Sequence, residues 1–334
     1  MYFNKLHRLL TGLYSLKAVP DSGVLRGLSW TVARRERTVR RRRSGCSERE
    51  HRAGPPLTGA RAVSQTTVDP DEVKRFQSLA SRWWDEHGEF AALHSMNDLR
   101  VPFIRDNLLN VHRARHPGKP LAGLNILDVG CGGGLLTEPL GRLGATVLGI
   151  DPVEDSIGTA RLHSSFDPDL RQHVSYSACT LEDLCARDEP EVAQFDAVVA
   201  SEVVEHLADV EMFASSCSQM LKPDGSLFIT TINRTNLSYA LGIVAAEQLL
   251  RIVPSGTHDW EKFISPVELE RLLESNGFSV QSVQGMLYNP VSGAWCWTNS
   301  TAINYALHAV KLSSGARDSG SEPQENTTHT STSI

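Results

Sequence analysis

The sequence predicts an α/β fold: a doubly wound, mostly parallel sheet of seven strands, with two helices ahead of the first strand and a helical insertion after the fifth. Three observations carry that prediction. Residues 125–151, NILDVGCGGGLLTEPLGRLGATVLGID, read as an apolar strand, a glycine-rich turn, a helix and a second strand ending in an acid. Residues 195–201, FDAVVAS, are an apolar run of strand length that closes on the polar pair Ser201 and Glu202. Residues 221–231, LKPDGSLFITT, read as a helix end, a Pro-Asp-Gly turn and another strand. Strands alternating with helical stretches imply a parallel sheet covered on both faces.

The chain before this sheet has a different character. Residues 1–65 hold 14 Lys and Arg against 4 Asp and Glu, and the rest of the 334 residues hold 19 against 35. The first twenty residues contain no acid and mix leucines and aromatic residues with Lys5, Arg8 and Lys17, and arginines follow thickly through Arg40, Arg41, Arg42 and Arg43. A basic, amphipathic, acid-poor leader of this kind describes a mitochondrial targeting presequence. The other reading is a disordered basic arm that binds nucleic acid or serves as a nuclear signal. No uninterrupted apolar core of a secretory signal is present. Residues 312–334, rich in Ser, Thr, Gly and Glu, lack the apolar side chains needed to fold. One domain, residues 66–311, remains.

Asp69, Pro70 and Glu72 make a helix start, with a capping acid, proline at the first helical position and an acid at the third. Val73, Phe76, Ala80, Trp83 and Trp84 follow at helical spacing, so SRWWD at 81–85 is expected to end an amphipathic helix and place both tryptophans in the core. A second helix is expected over 97–108, carrying Arg100 and Arg105. Ser265, Pro266 and Glu268 cap a helix over 266–276 that Gly277 stops. Residues 278–283 and 302–310 are the remaining strand candidates. The insertion spans 233–264, and within it 237–253 is nearly all apolar, with Glu247 and Arg251 its charged residues. That stretch falls short of the roughly twenty apolar residues a bilayer span needs. It suits either an interfacial helix dipping into lipid or a buried core helix.

The six cysteines, Cys46, Cys131, Cys179, Cys185, Cys217 and Cys296, include no CxxC pair, so the sequence offers neither a zinc motif nor a disulfide framework. This usage suits a reducing compartment.

The glycines Gly130, Gly132, Gly133 and Gly134 sit where the chain turns from strand to helix, and bare backbone there lets a ligand approach. Asp151, at the end of the next strand, is placed to accept hydrogen bonds from a ribose. A dinucleotide fingerprint, GxGxxG, is not met: counting from Gly130 puts Leu135 at the third glycine, and counting from Gly132 puts Thr137 there. What is present is an acid followed by alternating glycines, Asp128, Gly130, Gly132 and Gly134. This resembles the DxGxGxG first motif of the class I S-adenosylmethionine-dependent methyltransferases. The resemblance implies a cofactor with a charged amine, beside which an acid at the strand end is favourable, whereas the phosphates of NAD would be repelled.

After the fourth strand, Glu202, Glu205 and His206 would share one face of a helix by the i, i+3, i+4 rule. Two roles follow. The trio could bind a divalent cation that lowers the pKa of a phenolic hydroxyl and orients it, with magnesium suited to the carboxylates and manganese, cobalt or zinc to the imidazole. Alternatively His206 acts alone as general base, with the glutamates tuning it.

Together SRWWD (81–85), HSMNDLR (94–100), DVGCGGG (128–134), EVVEHL (202–207), LKPDG (221–225), TINRT (231–235), PSGTHDWEKFI (254–264) and NYALH (304–308) resemble the ubiquinone-biosynthesis O-methyltransferases. The likeness runs from about 68 to 308. It implies methyl transfer from S-adenosylmethionine to catechol-type hydroxyls of polyprenylated rings, both an early dihydroxybenzoate and a late demethylubiquinol. By the same matching Arg100, Gly130, Asp151 and Ser201 fall on cofactor-contacting positions, and Glu202, Glu205 and His206 on a magnesium site. Two departures stand out: Ser201 where some relatives have Met, and Thr180 where many class I enzymes carry an acid near the adenine, with Glu182 or Asp183 as substitutes. The implied setting is the matrix side of the mitochondrial inner membrane, as a peripheral protein in a multiprotein biosynthetic complex. An acidic domain argues against a nucleic-acid substrate. The competing readings are a methyltransferase for another small acceptor, an NAD-dependent oxidoreductase, and a noncatalytic scaffold in the complex.

Overall fold

A computed structural model describes residues 66–112, 116–187, 194–235, 238 and 262–313. The chain divides into two units, Met1–Arg61 and Ala62–Ile334, and every described residue belongs to the second. The predicted leader, the stretch 237–253 apart from Ser238, and residues 314–334 lie outside the described residues.

Helix α1, Pro70–Leu79, begins as its sequence dictates, with Asp69 accepting the Asp71 N–H at 2.9 Å and proline in the first turn. It ends earlier than predicted. A 3-10 turn, Ala80–Arg82, intervenes, and both tryptophans stand beyond the helix. Helix α2, Ala91–Val111, is longer than the predicted 97–108 and runs through Pro102; Met96, Leu99, Phe103, Ile104 and Leu108 form its buried side.

The α/β core follows: β1 Asn125–Val129, α3 Thr137–Arg142, β2 Thr146–Asp151, α4 Glu154–Ser165, β3 Val174–Ala178, α5 Leu181–Cys185, β4 Phe195–Ser201, α6 Val210–Met220, β5 Leu221–Ile232, α7 Pro266–Ser275, β6 Phe278–Asn289, β7 Ala294–Thr298 and β8 Asn304–Lys311. The sheet order is β3-β2-β1-β4-β5-β8-β6-β7. Strands β1 to β5 are parallel and the β5–β8, β8–β6 and β6–β7 pairs antiparallel. The doubly wound, mostly parallel α/β class predicted from the sequence is therefore the observed one.

The count differs. Among the described residues the sheet has eight strands, not seven. The strand expected over 278–283 continues to Asn289 and returns as β7, whose AWCWT carries Trp295 and Trp297. The sequence hid this hairpin because QSVQGMLYN mixes polar with apolar residues on a strand only partly covered, which weakens the period-two signal. Strand β3, VSYSA, was equally faint, being an edge strand with partly exposed side chains.

Two apolar layers hold the helices to the sheet. On one face Phe213, Ala214 and Cys217 of α6 and Leu269 and Leu273 of α7 pack on Leu127, Val198, Ile229 and Leu307. On the other, the buried side of α2 and Leu140 of α3 pack on Ile126, Val147, Val199 and Phe228. The carboxyl ends of β1, β2 and β4 are thus fixed relative to one another, and the predicted site residues other than Arg100 of α2 lie at or just beyond those ends.

Candidate active site

The turn after β1 is tight because side chains lie against it. A Cβ on Gly132, whose φ is +53°, would fall 2.5 Å from the Trp83 ring, and one on Gly133 would fall 2.3 Å from Trp83 Cβ. The sequence assigned these bare positions to the sharp turn and to ligand approach; the structure shows that packing against Trp83 demands them as well. Trp83 cannot easily yield. Its ring stacks on Phe90 at 3.8 Å and its Nε1 donates to Ser156 Oγ at 3.0 Å. Trp84 donates to the Gly133 carbonyl at 2.9 Å and stacks on His163. Core packing, the role predicted for the pair, holds for buried Trp83, whereas Trp84 is half-buried and fastens the turn.

Asp151 faces this turn from the end of β2. Its Oδ2 accepts the Gly132 N–H at 3.0 Å and its Oδ1 the Val153 N–H at 2.8 Å. Burial pushes its carboxyl up to about 6, against the pull of those two hydrogen bonds. Asp128, at the end of β1 beside Gly130, is 2% exposed and accepts the Thr137 hydroxyl at 2.6 Å. Burial likewise raises it to about 6, while Thr137 and the Arg100 charge oppose the rise.

Arg100 and Ser201, predicted separately, are brought together. Arg100 is buried on α2, and its Nη1 donates to Ser201 Oγ at 2.8 Å, its Nε to Asn97 Oδ1 at 2.7 Å and its Nη2 to the Leu93 carbonyl at 3.3 Å. Burial lowers Arg100 to about 10, opposed by the charges of Asp128 and Glu202. Ser201 Oγ also lies 2.6 Å from Thr230 Oγ1 on β5. A cation enclosed this way is a fixed feature of the cleft.

The trio after β4 departs from its predicted geometry. Only Val204–His206 is helical, and that as a 3-10 turn, while Glu202 takes φ +56° with its N–H on the Thr230 carbonyl. The shared helical face therefore does not form. Glu205 turns inward, 2% exposed, and accepts the Thr231 hydroxyl at 2.7 Å. Burial pushes its carboxyl well above the ordinary carboxylate range, and the Glu202 charge adds to the rise. His206 turns toward α1, with Nδ1 3.3 Å from Glu72 Oε2. Among the described residues no group of three or more His, Cys, Asp or Glu stands together to hold a metal ion. In this arrangement the donor set does not fit a cation, because Glu205 and His206 point to different partners.

From Asp128 onward these positions lie within a stretch that matches known proteins. A methyltransferase-domain family model matches residues 102–283. The bovine mitochondrial ubiquinone biosynthesis O-methyltransferase is 64% identical over 258 residues, 77% of this chain and 69% of that protein. The human protein of the same name is 64% identical over 250 residues, 75% of this chain and 67% of the other. A ubiquinone biosynthesis O-methyltransferase of Azorhizobium caulinodans is 44% identical over 249 residues, 74% of this chain and 95% of that one. The chain belongs to the ubiquinone biosynthesis O-methyltransferase family. It is an S-adenosylmethionine-dependent O-methyltransferase.

Within this O-methyltransferase the two acids offered as substitutes near Thr180 are engaged in local structure. Thr180 caps α5 and Asp183 closes the capping box, while Glu182 Oε1 accepts the Thr67 N–H at 3.2 Å. Several residues that shape the site carried no sequence signal for it. Thr137 and Asn97 support Asp128 and Arg100 from positions that read as ordinary helix. Glu72 read as the acid at the third helical position, beside the cap at Asp69, and it stands 3.0 Å from Arg75 and 3.3 Å from His206 Nδ1. Burial pushes Glu72 up, but the nearby His206, with the charges of Arg75 and Lys262, leaves it below its ordinary value.

Proposed function

We propose that this O-methyltransferase acts on catechol-type hydroxyls of polyprenylated ubiquinone precursors, dihydroxybenzoate and demethylubiquinol, in mitochondria on the matrix side of the inner membrane. The observation that carries the reading is the Asp151 carboxylate held at the glycine turn, at the point of the sheet where a nucleoside sugar binds. S-adenosylmethionine supplies, when bound, a methyl group on a sulfonium. The side-chain-free turn at Gly130 and Gly132 would let it approach the backbone, Asp151 would serve its ribose, Asp128 would favour its amine, and Arg100, held by Ser201, sets the charge of the cleft. His206 is the candidate acceptor of the phenolic proton, an imidazole being able to take up and release a proton. The remaining work of the residues is alignment of the acceptor oxygen with the methyl.

The names of the relatives support the acceptor class and the compartment. A prenyl chain resides in lipid, which supports a membrane setting; a biosynthetic complex is proposed with it. A divalent cation at Glu202, Glu205 and His206 is the second reading, and it requires Glu205 to leave Thr231 and His206 to leave Glu72.

The test is methyl transfer to a prenylated dihydroxybenzoate by the purified protein, before and after chelation and metal add-back, alongside titration with S-adenosylmethionine. Turnover that survives chelation supports His206 as base; loss restored by magnesium supports the cation. Asp151→Ala is expected to abolish saturable cofactor binding, and unchanged affinity overturns the site.

A further inference from the structure

The glycine turn is held by a circuit of contacts that begins and ends on the turn itself. Helix α3 follows it directly, and the Glu138 N–H donates to the Gly134 carbonyl at 3.1 Å. The Glu138 side chain is fully buried. Its Oε1 is hydrogen-bonded to His163 Nδ1 of α4 at 2.8 Å, and its Oε2 accepts Arg142 Nη2 at 3.0 Å. The His163 ring lies flat on Trp84, with centroids 3.4 Å apart and planes 4° apart. Trp84 closes the circuit, donating from Nε1 to the Gly133 carbonyl at 2.9 Å.

Both ends of the peptide unit between Gly133 and Gly134 are thereby taken. Its carbonyl accepts from Trp84 and its N–H donates to the Cys131 carbonyl at 2.9 Å, which sets the plane of the unit. The indole is steadied from a second direction. His94 meets it at 5.7 Å and 68°, and His94 Nε2 donates to the Trp83 carbonyl at 2.8 Å. Packing alone gives no reason for a buried carboxyl here, since an enclosed polar group is costly unless its partners satisfy it. One of those partners is the ring on which Trp84 rests.

We propose that His163, anchored by Glu138, is a positioning residue for the cofactor: its ring fixes the Trp84 indole so that Nε1 holds the Gly133 carbonyl and the turn keeps one shape before S-adenosylmethionine arrives. A loop held in advance binds without the cost of being ordered by its ligand. The inference rests on the reading of the glycine turn as the seat of the cofactor. It gives Trp84, read from the sequence as core, a part in cofactor affinity, and it brings in His163 and Glu138, which carried no signal for the site.

The experiment uses the full chain, calorimetric titration with S-adenosylmethionine, turnover of a prenylated dihydroxybenzoate and five variants: Trp84→Phe, His163→Ala, His163→Phe, the double variant of Trp84→Phe with His163→Ala, and Asp151→Ala as a control. Trp84→Phe keeps a ring against His163 and loses the donor, so the net worth of one hydrogen bond sets the expected rise in the cofactor Kd at about 3- to 10-fold. His163→Ala is expected to raise Kd by a similar factor, and in both variants the cofactor KM rises while kcat at saturating cofactor and the acceptor KM do not change. His163→Phe, which offers a flat ring but no bond to Glu138, is expected to fall between His163→Ala and wild type. In the Trp84→Phe background the His163→Ala change is expected to have no further effect on Kd, since no donor is left to direct. A wild-type Kd in Trp84→Phe and His163→Ala overturns the proposal. A lowered unfolding midpoint beside that unchanged Kd marks a structural strut and overturns it equally, as do full additivity in the double variant and a fall in kcat without a change in Kd. Should His163→Ala fail to fold, Trp84→Phe and His163→Phe decide by the same criteria. If Asp151→Ala keeps wild-type affinity, the reading of the turn itself fails; if Asp151→Ala loses binding while Trp84→Phe and His163→Ala keep it, only the positioning role fails.

Discussion

Replacing Thr137 by Val tests the electrostatics of the cleft directly. The two side chains have nearly the same shape, so the substitution removes a hydroxyl and leaves the packing. That hydroxyl donates to Asp128 Oδ2 at 2.6 Å, with Thr137 fully buried and Asp128 2% exposed, so water cannot replace it. A hydrogen bond to a charged group contributes about 1.5–3 kcal/mol and one between neutral groups about 0.5–1.5 kcal/mol. Which figure applies depends on the protonation of Asp128, raised by burial from 3.8 to about 6. A carboxyl raised on folding favours the native state while protonated, so the wild-type protein loses this contribution as the pH climbs through about 6. At pH 8 Thr137→Val deprives an ionised Asp128 of its donor, and the loss of stability should be about 1.5–3 kcal/mol; at pH 5 it should shrink to about 0.5–1.5 kcal/mol. Asp151 follows the same sign with pH but is present in both proteins and cancels in the difference. Urea unfolding of the cofactor-free wild type and variant at the two pH values measures it. An equal loss at both, or a larger one at pH 5, refutes the reasoning that Asp128 titrates in its buried site.

Three further outcomes are expected. Gly133→Ala sets a Cβ 2.3 Å from Trp83 Cβ, where the stacked ring cannot give way, and overpacking should destabilise by about 1–3 kcal/mol; a thermal midpoint equal to wild type would show that the turn relaxes freely. Glu205→Gln keeps an acceptor for the Thr231 hydroxyl and removes a carboxyl that burial pushes upward, so it should leave stability within about 1 kcal/mol; a loss several times larger in urea unfolding would mean that Glu205 is ionised and paired. Ser201→Ala strips Arg100 of one acceptor inside the protein and should cost about 1–3 kcal/mol of stability, with weakened cofactor affinity by calorimetry; wild-type values for both would remove Ser201 from the site.

The elements best read from the sequence were those whose signal is local and repeated. Strand β4 was predicted over its full observed length because every residue from Phe195 to Ala200 but Asp196 is apolar, and helix α7 because Ser265 and Glu268 form a capping box that exists in sequence as in space. Strand β3 and the β6–β7 hairpin were missed where a partly covered edge removes the requirement for apolar residues. The site divides along the same line. The position of Asp151 at the end of β2 was legible because strand, turn and strand fix it within one contiguous stretch. The Glu202, Glu205 and His206 face failed because helical spacing was assumed where the backbone takes a left-handed step at Glu202 and only one 3-10 turn follows.

The sequence by itself determined the fold class, the glycine turn and the acids at the strand ends, since strand period, turn chemistry and capping act over a few neighbouring residues. Tertiary structure decided which partner each buried charge received. Thr137 faces Asp128, Ser201 faces Arg100, Thr231 faces Glu205 and Glu72 faces His206. An enclosed polar group must find a donor or acceptor wherever the packed elements bring one, and that choice is made by the crossing of the chain on itself.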